Sequence, residues 1–172
     1  MTLSFKQCTI HDLDALISIS RDTFIEAFEK DNNPDDFDKY IAVAFSVDSI
    51  KDQLLNPESS FYFAYDNTSL VGYIKLNQGD AQTEKFTDNC IELERIYVDA
   101  KSQNKGFGKL LIDHAFKIAK EHNHDYIWLG VWQKNEGAVR FYERYGFEKF
   151  GTHPYYIGKD KQIDWLMRLD LL

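Results

Sequence analysis

The segment at residues 98–111, VDAKSQNKGFGKLL, contains residue types that can bind phosphate. A short polar turn follows a predicted strand, and Gly106 and Gly108 stand at the start of an amphipathic helix. The first backbone N–H groups of a helix lack intrahelical acceptors, and the helix dipole adds partial positive charge there. Glycine lets the backbone approach an anion closely, and Lys105 and Lys109 add full charges. The segment therefore predicts a diphosphate-binding turn.

Two other phosphate-binding motifs are excluded by the residues present. A P-loop needs Gly at position 103 and Ser or Thr at position 110, where the chain has Gln103 and Leu110. A dinucleotide-binding GxGxxG motif needs Gly at position 111, which is Leu111. The pattern that remains is Gln-x-x-Gly-x-Gly.

A second segment, WLGVWQKNEGAVRFYERYGF at residues 128–147, predicts a strand and then a helix that Asn135 caps and Gly146 ends. Gln-x-x-Gly-x-Gly followed by Phe-Tyr-x-x-x-Gly-Phe, in this order and setting, resembles the GCN5-related N-acetyltransferase (GNAT) superfamily. Further stretches (TFxEAF, KYIAVAFS, GYIKLNxxDAQ, LERIYV and IWLGVW) are similar to PaiA-type spermidine/spermine N-acetyltransferases. Residues 80–89 match least, so their part in substrate binding stays open.

The resemblance implies acetyl-CoA as cosubstrate and assigns its ligands. Backbone groups between two splayed parallel strands, residues 91–98 and 126–132, would bond the pantetheine arm, and a turn would bind the pyrophosphate. The residues so assigned are Ile96, Tyr97 and Val98 for the arm, and Gln103, Asn104, Lys105, Gly106, Phe107, Gly108 and Lys109 for the pyrophosphate. Asn135 would bond the pantetheine as well as cap its helix, and Arg144 would approach the nucleotide. The alternatives are core packing for Ile96 and Val98, a helix cap alone for Asn135, and a solvated surface position for Arg144.

The acceptor must lose a proton, because an alkylammonium is almost wholly protonated at neutral pH. Glu92 and Glu94 lie two residues apart on one predicted strand, so we expect them on one side, alongside Ile96 and Val98, facing the cleft. Either can act as the base, directly or through water. Glu94 is favoured because it lies nearer the point where the two predicted parallel strands diverge. The alternative is that each pairs with a basic residue on a neighbouring strand.

Tyr142 is the candidate group at the leaving sulfur. A phenol pKa of about 10 exceeds a thiol pKa of about 8.5, so we expect a hydrogen bond to the developing thiolate rather than outright proton donation. The alternative is a core tyrosine. His122 and His124 lack a third metal ligand, and Cys8 and Cys90 have no associated histidine, so we expect neither a metal nor a covalent acetyl-cysteine.

The predicted fold class is α/β (α+β), a GNAT fold in a single domain over residues 1–172, with a mixed central sheet of about seven strands and about four flanking helices. The predicted strands are residues 3–9, 60–65, 70–77, 91–98, 126–132, 148–152 and 164–171. The predicted helices are residues 12–28, 35–55, 107–121 and 135–145.

Composition restricts the partners. A net charge of −8 argues against a protein that binds nucleic acid and is compatible with a cationic small substrate. We expect a cytoplasmic protein, because no apolar stretch approaches the roughly 20 residues of a membrane span and no secretory signal is recognisable. An acidic run from Glu26 to Asp38 suits a polyamine, although a solvated helix face is the alternative. The oligomeric state stays open, although exposed sheet edges and C-terminal strands are compatible with a homodimer.

The sequence therefore predicts an acetyl-CoA-dependent N-acetyltransferase whose acceptor is spermidine or spermine. A second interpretation keeps the donor and changes the acceptor to a protein N-terminus, a lysine or another small amine. A third is a non-catalytic acyl-CoA-binding regulator.

Overall fold

The computed structural model describes residues 2–86 and 88–171. Within them, seven strands form a mixed sheet in the order β1-β2-β3-β4-β5-β7-β6. The strands are β1 (Ser4–Gln7), β2 (Ser59–Asp66), β3 (Ser69–Asn77), β4 (Cys90–Val98), β5 (Tyr126–Trp132), β6 (Glu148–Ile157) and β7 (Asp160–Asp170). The α-helices are α1 (Leu13–Phe28), α2 (Pro34–Ala44), α3 (Val47–Leu55), α4 (Phe107–Glu121) and α5 (Glu136–Arg144). The predicted fold class is confirmed.

Two predicted boundaries differ from the structure. The helical region predicted over residues 35–55 is two helices, because the Ser46 side chain accepts a hydrogen bond from Ser49 N and starts α3 as an N-cap. The last two strands are longer than predicted and form one hairpin, with Gly158 at φ 59° in its turn. β6 contains Pro154, which is tolerated because β6 is an edge strand of the sheet.

Helices cover the sheet on both sides. α4 and α5 pack on one side, which we call the α4 face, where Leu111, Ala115 and Val139 join an apolar core with Leu93 of β4. Helices α1 to α3 pack on the other side, the α1 face, around a second core that includes Tyr73 of β3. No helix of the described residues is long and apolar enough to span a bilayer.

The parallel strands β4 and β5 diverge after a short paired stretch. They pair at Cys90, Ile91 and Glu92 of β4, and the last of these lies opposite Trp128. Beyond that point β4 stays paired with β3 as far as Val98, while β5 stays paired with β7. A gap therefore opens between β4 and β5, and backbone groups on its two edges are left without strand partners.

A β-bulge at Glu94 changes which way the second half of β4 faces. Leu93 pairs with Leu76 and Arg95 pairs with Lys75, so Glu94 is the extra residue. Beyond the bulge, the side chains that point to each face of the sheet are therefore shifted by one residue along β4.

The expectation that Glu92 and Glu94 share a side with Ile96 and Val98 is therefore wrong. It assumed strict alternation along β4, which the bulge interrupts. Ile96 and Val98 pack on the α4 face, whereas Tyr97 packs on the α1 face. Glu92 lies opposite Asn77, whose side chain donates to both glutamates, so both carboxylates belong to the α1 face.

Candidate active site

The N-terminus of α4 differs from those of three other helices. Its N-cap is Gly106 at φ 80°, which offers no capping side chain. In contrast, α2, α3 and α5 begin with Asn33, Ser46 and Asn135, each of which accepts a hydrogen bond from a first-turn N–H. The first amides of α4 are thus left available to an external anion. The Gln103 side chain ties the turn to β4 by donating to the Val98 carbonyl at 3.1 Å.

A pocket of about 380 Å³ opens in front of this turn, on the α4 face. It extends from the end of β4, past the turn, to one side of α5. It brings together eight of the residues assigned from the sequence, namely Ile96, Val98, Gln103, Asn104, Gly106, Phe107, Gly108 and Tyr142.

Five other residues, all assigned to the binding of acetyl-CoA, do not line this pocket. Lys105 and Arg144 are exposed, and Lys109 Nζ lies 2.8 Å from Asp113 Oδ2. Asn135 caps α5 by accepting from Ala138 N at 3.2 Å. The Tyr97 side chain stacks on Tyr73 on the α1 face, so only its backbone can face the gap. For these residues a role in binding stays a prediction.

The two glycines of the turn serve different purposes. Gly106 needs its positive φ, which is costly for any other residue. A Cβ on Gly108 would lie 3.7 Å from the Phe141 ring, an ordinary contact distance. Gly108 therefore matters for the space it leaves in the pocket rather than for backbone conformation.

Tyr142 is buried in α5 and lines the same pocket. Burial raises the pKa of its phenol above the ordinary value. The hydroxyl therefore keeps its proton and can donate a hydrogen bond to an atom in the pocket.

Glu94, on the opposite face of β4, is held in a network of charges. Its carboxylate pairs with Lys75 Nζ, lies 3.4 Å from Arg95 Nη2 and accepts from Asn77 Nδ2 at 2.6 Å. Burial raises the pKa of Glu94, but Arg95 and Lys75 outweigh burial and hold that pKa below its ordinary value. Glu94 is therefore a persistent anion.

Glu92 has a different environment. It is 2% exposed and accepts hydrogen bonds from Asn77 Nδ2 at 3.0 Å, from Thr83 N at 2.8 Å and from the Thr83 hydroxyl. Burial, and then the charge of Glu94, raise its pKa. Glu92 thus has the higher proton affinity, but protein groups already occupy both of its oxygens.

Sequence reasoning missed the polar residues that surround these glutamates. Lys75 is 5% exposed and Asn77 is fully buried, although both lie in an otherwise apolar strand. Gln53 of α3 accepts from both Lys75 and Arg95. The signal in the sequence was a lysine and an asparagine two residues apart inside GYIKLN, on the same side of a strand.

Other residues considered from the sequence lie away from this chemistry. The acidic run between Glu26 and Asp38 is largely exposed, as a solvated helix face requires. Burial raises the pKa of the Cys8 thiol to about 12, and the Cys90 thiol donates to Gln82 at 3.3 Å. Neither cysteine is a ready nucleophile.

Comparison with known proteins decides the family. The model of the acetyltransferase (GNAT) family matches residues 13–147. The chain belongs to the GNAT family of acetyltransferases. An uncharacterized N-acetyltransferase in the pepI 3′ region of Lactobacillus delbrueckii subsp. lactis is 37% identical over 166 residues, which is 96% of each chain.

Two further similarities are to acetyltransferases of Thermoplasma acidophilum, one in sequence and one in structure. A spermidine N(1)-acetyltransferase is 24% identical over 152 residues, covering 86% of this chain and 89% of the relative. The crystal structure of a PaiA N-acetyltransferase in complex with coenzyme A superposes with a TM-score of 0.78 at 22% identity, covering 99% of both chains. The GNAT superfamily and the PaiA-like resemblance expected from the sequence are thus confirmed.

Proposed function

We propose that this GNAT acetyltransferase transfers the acetyl group of acetyl-CoA to a primary amine of a polyamine such as spermidine or spermine. The observation that carries the proposal is the placement of two unlike sites on either side of the β4–β5 gap. An uncapped helix N-terminus with a pocket lies on the α4 face, and a persistent carboxylate lies on the α1 face. A thioester in the gap would meet a cationic acceptor arriving from the other side.

The donor would be held mainly by main-chain groups. The turn from Gln103 to Lys109 would bind the pyrophosphate through amides at the start of α4. Backbone groups of Ile96, Tyr97 and Val98 that face the gap would bond the pantetheine arm. The relative that was crystallised with coenzyme A supports this choice of donor.

Two side chains would act on the reacting atoms. The Tyr142 hydroxyl, which keeps its proton, would donate to the sulfur as negative charge develops there. Glu94 would attract and orient the ammonium group of the acceptor from the α1 face. The lowered pKa of Glu94 suits the attraction of a cation better than the removal of a proton, so Glu94 would orient the acceptor rather than act as the base predicted from the sequence.

A polyamine acceptor draws support from the spermidine N(1)-acetyltransferase relative and from the net charge of −8. The test is thiol release from acetyl-CoA in the presence of spermidine, spermine, peptides and aminoglycosides. We expect release with the polyamines at the highest kcat/KM. Tight coenzyme A binding without release for any amine would instead indicate a regulator.

A second class of acceptor is favoured by one observation. Among the described residues, Arg95 Nη1 is one of the buried side-chain atoms without a hydrogen-bond partner. Buried polar groups normally have partners, and a carboxylate on the acceptor is a group that a guanidinium would bind. Amino acids and peptides with a free N-terminus therefore belong in the same panel, and higher kcat/KM with them would replace the polyamine assignment.

A further inference from the structure

His153 lies on the β5 side of the β4–β5 gap. Its neighbours Tyr155 and Ile157, two and four residues along β6, pack in the core of the α1 face, so His153 projects to that face. A Cβ built on Gly130 would lie 3.3 Å from His153 Nε2. Gly130 is two residues beyond Trp128, the last β5 residue to pair with β4. The imidazole therefore lies over β5 where the gap begins.

The two ring nitrogens of His153 have unequal partners. Nδ1 lies 2.7 Å from Glu84 Oε1, whereas Nε2 lies 3.5 Å from Asp164 Oδ2. In the neutral ring, the short contact places the proton on Nδ1, donated to Glu84. The lone pair of Nε2 is then left beside Gly130, in a position to accept a proton from a group in the gap.

The loop that carries Glu84 is fastened to three strands by consecutive residues. Gln82 Oε1 accepts from Trp128 Nε1 of β5 at 2.7 Å, Thr83 bonds Glu92 of β4, and Glu84 bonds His153 of β6. The segment that the sequence left without a role thus holds Glu84 in place against the imidazole.

The glutamates of β4 are less suited to remove a proton. Lys75 and Arg95 lower the pKa of Glu94, so its carboxylate binds a proton weakly, and Glu92 is enclosed by hydrogen-bond donors. The pKa of His153, in contrast, is raised above its ordinary value, chiefly by Asp164 beside Nε2 and, against the effect of burial, by Glu84.

We propose that Nε2 of His153 accepts a proton from the acceptor ammonium at the β4–β5 gap, with Glu84 orienting the ring and passing the Nδ1 proton to solvent. The inference rests on the proposed acetyl transfer, but not on which amine is the acceptor. The freed nitrogen lone pair attacks the thioester carbonyl, a C–N bond forms and the C–S bond breaks. The nitrogen then loses a second proton, which ends on the sulfur, so that amide, thiol and one proton in solvent are the products.

The test is the pH dependence of kcat/KM for the wild-type chain, Glu84→Gln and His153→Gln. The charged groups facing the imidazole among the described residues are Glu84 from the loop and Asp164 from β7. Only the neutral ring can accept the proton, so wild-type kcat/KM should rise with pH through a pKa above 6.5. Glu84→Gln removes one cause of the raised pKa, so the rise should move to lower pH.

We expect His153→Gln to lower kcat about 100-fold near pH 7, the size of effect usual for a general base. The loss should shrink towards high pH, where the acceptor amine is already neutral. A merely structural role would give the same loss at every pH. Coenzyme A affinity should be unchanged, because His153 does not line the pocket of the α4 face.

Two glycine-to-alanine substitutions test whether crowding Nε2 of His153 lowers turnover. Gly130→Ala would push a methyl group against Nε2, whereas Gly151→Ala on β6 would meet Leu166 at an ordinary 3.5 Å. We expect the first to lower kcat at least about tenfold, as loss of a positioned base requires, and the second to leave kcat within about twofold.

Three results would overturn the inference. The first is that His153→Gln shows the same pH dependence of kcat/KM as the wild type. The second is that the loss of kcat in His153→Gln is the same at every pH, and the third is that Glu84→Gln does not move the pH dependence.

If polyamines fail but another amine supports thiol release, the acceptor assignment is wrong and the same profiles are measured with that amine. If no amine supports release, the proposed function fails and this inference fails with it. An NMR titration of the His153 ring tests its ionisation apart from turnover, and a pKa unaffected by Glu84→Gln also counts against the relay.

Discussion

The two faces of β4 offer different kinds of group to the proposed ligands. On the α4 face, these are backbone amides and carbonyls within one short segment that leads into an uncapped helix. On the α1 face, they are polar and charged side chains contributed by α3, β3 and β4 and held together by ion pairs and hydrogen bonds. Substitution of a side chain leaves main-chain groups in place but removes side-chain groups. We therefore expect the proposed donor site to tolerate more substitutions than the proposed acceptor site.

The largest effect on donor binding alone is expected at Gly108, where a side chain would occupy the donor pocket. We expect Gly108→Val to abolish coenzyme A binding, with at least about a 100-fold loss of affinity, or about 2.8 kcal/mol, in calorimetry. Gly137→Val is the matched control, because Gly137 is likewise the second residue of a helix and its Cβ would meet no atom nearer than 4.0 Å. Normal affinity in a folded Gly108→Val chain would contradict the assignment of the turn.

Tyr142→Phe should separate binding from chemistry on the α4 face. The phenol donates only as charge develops on sulfur, so we expect kcat to fall about 100-fold while coenzyme A affinity stays within about twofold. Steady-state kinetics and calorimetry measure the two effects, and Tyr145→Phe, at the residue that follows the same helix, is the control. Unchanged turnover would leave Tyr142 as a packing residue.

Glu94→Gln should act on the acceptor side alone. We expect kcat/KM for a cationic acceptor to fall about tenfold, since one charge-assisted contact is worth about 1.5 kcal/mol or more, with coenzyme A affinity unchanged.

Glu94→Gln also leaves Lys75 and Arg95 without their anion, so the free energy of unfolding should fall by about 3 kcal/mol. Lys75→Met combined with Glu94→Gln should recover part of that stability but not the kcat/KM. A coenzyme A affinity that fell with Glu94→Gln would mean that the two faces are not independent.

The smallest effect is expected at Asn135, which caps α5. Asn135→Ala should cost about 1 kcal/mol of stability through loss of the hydrogen bond from Ala138 N. Asn135→Ser retains a capping oxygen and should restore most of that stability. A fall in coenzyme A affinity in both variants would instead support the predicted contact between Asn135 and the pantetheine arm.

The donor site was readable from the sequence because its parts are local. Gln103, Gly106 and Gly108 lie within six positions, and their setting between a strand and a helix follows from hydrophobic periodicity. The seven-stranded mixed sheet and the divergence of the parallel strands β4 and β5 followed from the family resemblance and are confirmed.

The acceptor site could not be read in this way, because its contacts join distant parts of the chain. Lys75, Arg95 and Gln53 meet only after three elements have packed, and His153 meets Glu84 across 69 positions. The bulge at Glu94 depends on the pairing of β4 with β3, which periodicity along one strand does not reveal. Strict alternation therefore placed the two glutamates on the wrong face relative to Ile96 and Val98, whereas the alternative of an ion pair with a neighbouring strand holds for Glu94 and Lys75.

The central claim is that main-chain amides at the start of α4 bind the diphosphate of the donor. A crystal structure of the chain with coenzyme A tests it most directly. We expect pyrophosphate oxygens within about 3 Å of backbone nitrogens between residues 103 and 109, with the pantetheine arm in the β4–β5 gap. A nucleotide bound elsewhere, with this turn free of phosphate, would contradict the claim.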